Sequence, residues 1–295
     1  MYSYTAYGLN IESEIQLPTL AHGSSAADVQ VRRGSVIRPA EANGHATWTT
    51  PSDIYFRFEN FGVIQISGGT EIVVDAAGVD DGIAGLFVQG PAMGALLHQR
   101  GLLVLHASAV IANGGAVAFL GHSGRGKSTM AAALVKLGYC AFSDDLVPVS
   151  LSIGRPIALP GYPFLKLGQD AGTTLGYEID QSAAVAPDDN RRHVAVEGAD
   201  PDVPLPLARI YILEEGDRPE IELLKPQEAA VELIRYSYAS PCLGGSGMSA
   251  FHLQSCAALV DCLPIRRLRR PRRLDLLQEV AELVQRDFET AGSRA

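Results

Sequence analysis

Cysteine is scarce in this sequence. The four thiols among 295 residues, Cys140, Cys242, Cys256 and Cys262, form no CxxC pair, which excludes a disulfide framework and a clipped zinc site. His252 and Cys256 are spaced to share a helical face, but a buried thiol beside an ordinary histidine is the expected reading. Excess positive charge is missing too. The formal net charge is −9, whereas nonspecific nucleic-acid binding requires a broadly positive surface. The start, Met1-Tyr2-Ser3-Tyr4-Thr5, carries neither basic residues nor an apolar stretch, so no secretory signal is expected and the cytoplasm is the expected compartment. The one long uncharged stretch, Gly101 to Gly124, is broken by His106, Asn113 and several glycines, which argues against a membrane span. Charged residues at 19% and apolar ones at 47% describe a globular chain with room for one large or two modest domains.

The first eighty residues read as β-rich. Ile54-Tyr55-Phe56-Arg57-Phe58, Val63-Ile64-Gln65-Ile66 and Glu71-Ile72-Val73-Val74 are short strand-forming runs, punctuated by Asn60-Phe61-Gly62 and Gly68-Gly69-Thr70. Ala21 to Ala27 reads as a surface loop. From Ile83 to Gln99 the apolar spacing suits a helix that Gly90-Pro91 should break or restart. These signals divide the chain into a β-rich N-terminal domain, residues 1–82, and a second domain, residues 83–295. In the second, Asn113-Gly114 is a two-residue hairpin signal within Gly101–Gly124. Tyr139 to Ser143, Leu207 to Leu213 and Ile221 to Leu224 are strand candidates. Ala229 to Tyr236 and Leu274 to Phe288 are helices, and Ser240 to Ser249 is a loop.

Gly121-His122-Ser123-Gly124-Arg125-Gly126-Lys127-Ser128 matches the phosphate-binding pattern G-x-x-x-x-G-K-[ST] at every position. With average residue usage such a match arises in roughly one sequence of this length in a hundred. The context strengthens it: Ala116 to Leu120 is an apolar run of strand length, Thr129 to Leu137 is rich in helix formers, and Gly138 is suited to end that helix. A strand, a glycine loop and a helix present free backbone N–H groups to a polyphosphate. The expected cofactors are therefore ATP, or another nucleoside triphosphate, and Mg²⁺. Gly121 through Thr129 cradle the phosphates, Lys127 faces the β- and γ-phosphates, and Ser128 is a metal ligand.

Two further features converge on the loop. A hairpin turning on Asn113-Gly114 pairs His106 with Gly121, or with Ser123 if the turn slips by one residue; either register brings the imidazole beside the loop. Asp144-Asp145 ends the strand after the loop's helix, and ligands of open α/β sheets gather at such ends. One acid is needed for the metal, and a second could take a proton from an attacking hydroxyl. That second acid favours phosphoryl transfer over a nucleotide switch. Positive charge gathers at Arg191-Arg192-His193 and in the six arginines of Arg266 to Arg273, the latter expected to be mostly a solvated face or a subunit contact. Arg125, within the loop, is expected to point outward.

In this order, Leu105-His106-Ala107-Ser108-Ala109-Val110, Gly121 to Thr129 and Ser143-Asp144-Asp145 resemble the catalytic domain of HPr kinase/phosphorylase. The resemblance implies an α/β fold of the P-loop type related to phosphoenolpyruvate carboxykinase, preceded here by the β-rich region. It implies a serine kinase with Asp144 as general base, Asp145 as a metal or water ligand, and His106 beside the transferring phosphoryl group. A closer resemblance is to HPr-kinase-like proteins found with lasso-peptide biosynthesis genes. It is carried by Tyr7-Gly8-Leu9, Ser13-Glu14-Ile15, Leu17-Pro18, Leu97-His98-Gln99-Arg100-Gly101 and Pro160-Gly161-Tyr162-Pro163. The Glu-Ile-Arg-Gly-type segment of the HPr enzymes is absent, and Leu159 to Leu167 stands in its region, which argues against HPr as substrate and against reverse phosphorylase activity. The implied partner is a peptide, with the C-terminal serine of a lasso-peptide precursor as the suggestion; neither nucleic acid nor membrane is expected. The hexamers of the HPr family imply a homo-oligomer. A noncatalytic nucleotide switch, an HPr-type kinase and a small-molecule kinase stay open as alternatives.

Overall fold

The computed structural model describes the chain apart from residues 24–25, 153, 163, 180–182, 185–188, 199, 201–202, 239–248 and 293–295. The loop expected at Ser240 to Ser249 lies outside the described residues, except for Ser249, and so do Pro187-Asp188 before the Arg191 cluster. Eight strands form the first sheet: β1 (Tyr2–Ala6), β2 (Leu9–Ser13), β3 (Ala21–His22), β4 (Val29–Arg33), β5 (Thr47–Thr49), β6 (Asp53–Phe58), β7 (Gly62–Ser67) and β8 (Glu71–Asp75). Their order is β3-β1-β2-β4-β8-β7-β6-β5. The three runs read from sequence are β6, β7 and β8, and their turns use the left-handed backbone of Asn60, Gly68 and Gly69. Part of the expected loop at Ala21 to Ala27 is instead β3, paired with β1.

Helices α1 (Asp81–Phe87) and α2 (Met93–Gln99) follow. At Gly90-Pro91 the helix restarts without a chain break: Val88–Ala92 is a π-helical turn between α1 and α2. The wider turn accommodates a proline whose missing N–H would otherwise leave a gap in the hydrogen-bond ladder. Ala84, Val88, Met93, Leu96 and Leu97 are buried in the first sheet's core, which also takes in Val104, Leu146 and Tyr162.

The second sheet is built on β9 (Leu103–Ala112) and β10 (Gly115–Leu120). Asn113 and Gly114 both have positive φ, 51° and 73°, the geometry that a tight hairpin needs. Ala112 pairs with Gly115, and the ladder runs on to Ala107 and Leu120. This is the first of the two anticipated registers, and its continuation sets His106 opposite Gly121. The strand alternation sends Leu105, Ala107, Ala109, Ala116 and Ala118 to one core and Val110, Ala112, Val117 and Phe119 to another. Both faces are covered, which is why these strands read as unbroken apolar runs.

Helix α3 (Lys127–Lys136) starts two residues earlier than expected, directly on the glycine loop, and Gly138 ends its last turn with φ 96°. β11 (Cys140–Ser143) and β12 (Leu146–Ser150) both pair antiparallel with β9. Asp144-Asp145 therefore occupies a two-residue break between strands on the same neighbour, where a free strand end was expected. β13 (Ile157–Ala158) joins β12 to β17 (Leu205–Glu215), and β17 pairs parallel with β10. These pairings close β10, β9, β12, β13 and β17 into a ring. A smaller sheet holds β14 (Phe164–Gly168), β15 (Ala183–Ala184) and β16 (Arg191–Ala195), with α4 (Gln169–Thr174) after β14. β18 (Glu220–Leu223), α5 (Pro226–Arg235), α6 (Ser249–Cys262), β19 (Ile265–Arg270) and α7 (Leu277–Gly292) complete the chain.

The arginine run departs most from expectation. Four of its six arginines lie on β19, an inner strand between β17 and β18, and Arg272 and Arg273 follow that strand. Arg267 and Arg269 are paired with Glu214, Glu220 and Glu222 from those two neighbours, so strand partners match the charge of these two. Among the described residues, no helix is long and apolar enough to cross a membrane.

Candidate functional site

The glycine loop links the buried end of β10 to the first turn of α3. Gly124 and Gly126 adopt φ 76° and 83°, conformations that turn successive backbone N–H groups toward a common centre. The Lys127 ammonium folds back over the loop, donating to the carbonyls of Gly121 (3.0 Å) and His122 (3.4 Å). Lys127 is largely buried, and burial draws its pKa down to about 8 against the opposing pull of Asp144 and Asp145. A buried cation whose hydrogen bonds, among the described residues, go to carbonyl oxygens fits an anion.

Asp144 lies beneath the start of α3. One carboxylate oxygen accepts from Ser128 Oγ at 2.9 Å and from Ser108 Oγ, and the other accepts from the Lys166 N–H at 2.8 Å. The group is 1% exposed, and burial raises its pKa against the pull of those hydrogen bonds. Asp145 has the opposite character. Its backbone is left-handed (φ 74°), a costly state for a residue with a Cβ. Its carboxylate meets Lys166 Nζ at 3.0 Å and His106 Nδ1 at 3.5 Å. Burial alone would raise its pKa, but the positive charge beside it, Lys166 first and Lys127 after it, more than offsets that and lowers it. His106 is held neutral, its pKa lowered to about 4 by burial and by Lys127.

The N-terminal sheet braces this arrangement. Tyr7 and Gly8 form the tight turn between β1 and β2, both with positive φ, and the Tyr7 N–H donates to Pro160 O at 3.0 Å. Next to Pro160, Gly161 packs so closely that an added Cβ would stand 2.2 Å from Ser143 Oγ and 3.3 Å from the Tyr7 ring. Ser143 in turn donates to Leu146 O, closing the break that carries the two acids.

These groups border a cleft of about 540 Å³, within the roughly 300–1,000 Å³ typical of small-molecule sites. Of the residues anticipated from sequence, His106, Ser123, Gly124, Gly126, Lys127, Ser128, Thr129, Asp144 and Asp145 line it. Gly121 and His122 lie outside it and supply the carbonyls under Lys127, while Arg125 turns away to Glu215 as expected. Arg191 reaches the cleft, oriented by Asp189 at 2.6 Å; Arg192 and His193 do not line it. Sequence reasoning missed Lys166, which comes from β14, and Arg272, whose Nη2 donates to Gly124 O at 3.3 Å. It also missed Arg270, whose Nη2 holds the Arg125 carbonyl at 2.6 Å. The signal available for Lys166 was its place in the alternating run Phe164-Leu165-Lys166-Leu167; for the arginines there was only their density.

The donor set suits the cofactors expected. Among the described residues no group of three or more His, Cys, Asp or Glu side chains converges on one point, which leaves little basis for a zinc-type cage. The Ser128–Asp144 pair offers two hard oxygens beside an anion cradle, the incomplete protein set on which Mg²⁺ relies when phosphates and water supply its other ligands. His252 and Cys256 stand 3.9 Å apart and buried on α6, remote from this cleft's lining.

No family model matches the chain, and no curated protein matches it. Among solved structures it is similar to the Hpr(Ser) kinase/phosphatase from Coxiella burnetii, at 12% identity and a TM-score of 0.35, over 64% of this chain and 98% of that one.

Proposed function

We propose that the protein is an ATP- and Mg²⁺-dependent kinase that transfers the γ-phosphoryl group to a serine hydroxyl of a peptide. The observation that carries this reading is the convergence of Lys127, Ser128 and two carboxylates of unlike environment in one cleft. Lys127 and the loop N–H groups hold the phosphates, and Arg191 and Arg272 add positive charge for the oxygens of the transferring group. Ser128 and Asp144 would hold Mg²⁺, which when bound would neutralise phosphate charge. Asp144, against Ser128, is on the metal side. Asp145, with His106 and Lys166, faces the open cleft and takes the proton. This exchanges the roles that the sequence resemblance implies for the two acids. The serine oxygen forms a bond to the γ-phosphorus, the bond to the bridging oxygen breaks and ADP leaves. The hydroxyl proton passes to the Asp145 carboxylate.

Serine as the acceptor, and its position at or near the end of a short peptide, rest on the resemblance to the lasso-cluster kinases. The absence of the HPr-type segment at Leu159 to Leu167 supports them. The experiment is incubation with ATP and Mg²⁺ of a lasso-type precursor peptide with its last serine intact, replaced by alanine, or moved inward, read by mass. Addition of one phosphate to the first peptide alone is the expected result. Equal modification of all three, or efficient phosphorylation of HPr in their place, overturns the terminal-serine reading.

A further inference from the structure

A second cleft, of about 320 Å³, opens on the other side of the glycine loop. It shares His106 and Ser123 with the first and is otherwise walled by Gly121, His122 and the segment Arg235-Tyr236-Ser237-Tyr238. This wall is fixed to the central sheet by the backbone. The His106 N–H donates to Tyr236 O at 2.8 Å, and the Tyr238 N–H donates to Val104 O at 2.9 Å. The rings are ordered as well. Tyr238 stacks on His106 with centroids 5.5 Å apart, and Tyr236 meets His122 edge-on at 5.1 Å.

The place where the two clefts meet has a meaning on the kinase reading, on which this inference rests. Lys127 lies over Gly121 and His122, so the phosphates it faces end at this part of the loop, beside His106. A nucleoside triphosphate occupies the first cleft. An acceptor attacking in line must reach the terminal phosphorus from the side away from the leaving group, and the second cleft leads to that point. Its chemistry differs from that of the first. Among the described residues no carboxylate lines it, two tyrosines and His122 give it aromatic walls, and Arg235 stands at its rim with half of its side chain exposed. Glu232 accepts from Arg235 Nη1 at 2.9 and 3.1 Å, which fixes the guanidinium beside the cleft wall.

We infer that this second cleft is the acceptor subsite, and that it takes a peptide segment carrying the serine with an acidic residue close by to meet Arg235. A guanidinium fork held in place by its neighbours recognises a carboxylate by geometry as well as charge. The surrounding aromatic walls would shield the attacking oxygen from water, which otherwise competes for the phosphoryl group.

The test uses the full chain, labelled ATP with Mg²⁺, and an array of decapeptides that end in serine and whose preceding positions are acidic, neutral or basic. The wild-type protein should prefer acidic neighbours. Arg235→Glu should lower kcat/KM for those peptides about tenfold, mainly through KM, and move the preference toward basic neighbours. Arg235→Lys should keep the acidic preference, and calorimetric affinity for ATP should be the same in all three proteins. A loss of folding could lower every rate, but it could not invert a preference. An unchanged preference in Arg235→Glu overturns the subsite while leaving the kinase reading intact. ATP binding without phosphorylation of any peptide overturns the peptide-kinase reading, and the subsite falls with it.

Discussion

At the scale of single residues, the cleft separates two carboxylates that are neighbours in sequence. Asp144 is enclosed by donors from three directions, whereas Asp145 is turned by its left-handed backbone toward His106 and Lys166. Lys127→Ala removes the cation that faces the phosphates and should weaken calorimetric ATP binding by at least about 30-fold. Asp144→Asn should cost ATP affinity only when Mg²⁺ is present. Asp145→Asn should lower transfer by about 10²–10⁴-fold with that affinity retained. The opposite pattern, with transfer surviving in Asp145→Asn and lost in Asp144→Asn, returns the acids to the roles implied by the sequence resemblance. The loop and the acid pair were legible because each is a contiguous pattern with its own local geometry. Lys166 and Arg272 were not, since β14, which carries the first, and the segment after β19, which carries the second, are brought to the cleft by pairing distant in sequence.

At the scale of elements, the decisive contacts are between turns. The β1–β2 turn presses on Pro160-Gly161, and Gly161 presses on Ser143, whose hydroxyl closes the break holding the acids. Gly161→Ala should push the Ser143 hydroxyl from Leu146 O. The cost of such overpacking is about 1–3 kcal/mol, readable in denaturant unfolding. Because the break carries the acids and not the phosphate loop, transfer should fall much further than ATP affinity. Equal losses in both would mean that Gly161 serves packing alone. Local signals found the hairpin at Asn113-Gly114 and the helix after the loop, where turn chemistry and capping are explicit. They fell short where a neighbour decides. The π-turn at Gly90-Pro91 is held by the core around it, and β19 is a strand because acidic β17 and β18 residues pair with its arginines.

At the scale of the whole molecule, the first sheet does not stand apart from the cleft-bearing one, because Val104, Leu146 and Tyr162 belong to the same buried cluster as Ile11, Ile64 and Leu96. A shared core couples unfolding of the two sheets, and the chain carries a probe for this. Its one tryptophan, Trp48, is on β5 opposite Tyr55 of β6, far along the first sheet's order from the cleft. On β6, Asp53 supplies a titratable control. Burial alone would raise its pKa, but hydrogen bonds from Ser52, Ser67, Gln65 and Thr50 more than offset this and lower it. A carboxyl whose folded pKa is depressed stabilises the fold above its unfolded pKa, and that contribution is lost as pH falls through the folded value. Stability should therefore decline below about pH 4. Asp53→Asn should lower stability at neutral pH and flatten that decline. In both proteins Trp48 fluorescence and far-UV circular dichroism should report one coincident thermal transition. If the tryptophan signal alone shifts with pH or with Asp53→Asn while the circular dichroism of the remainder stays in place, the sheets unfold separately and the shared core does not couple them.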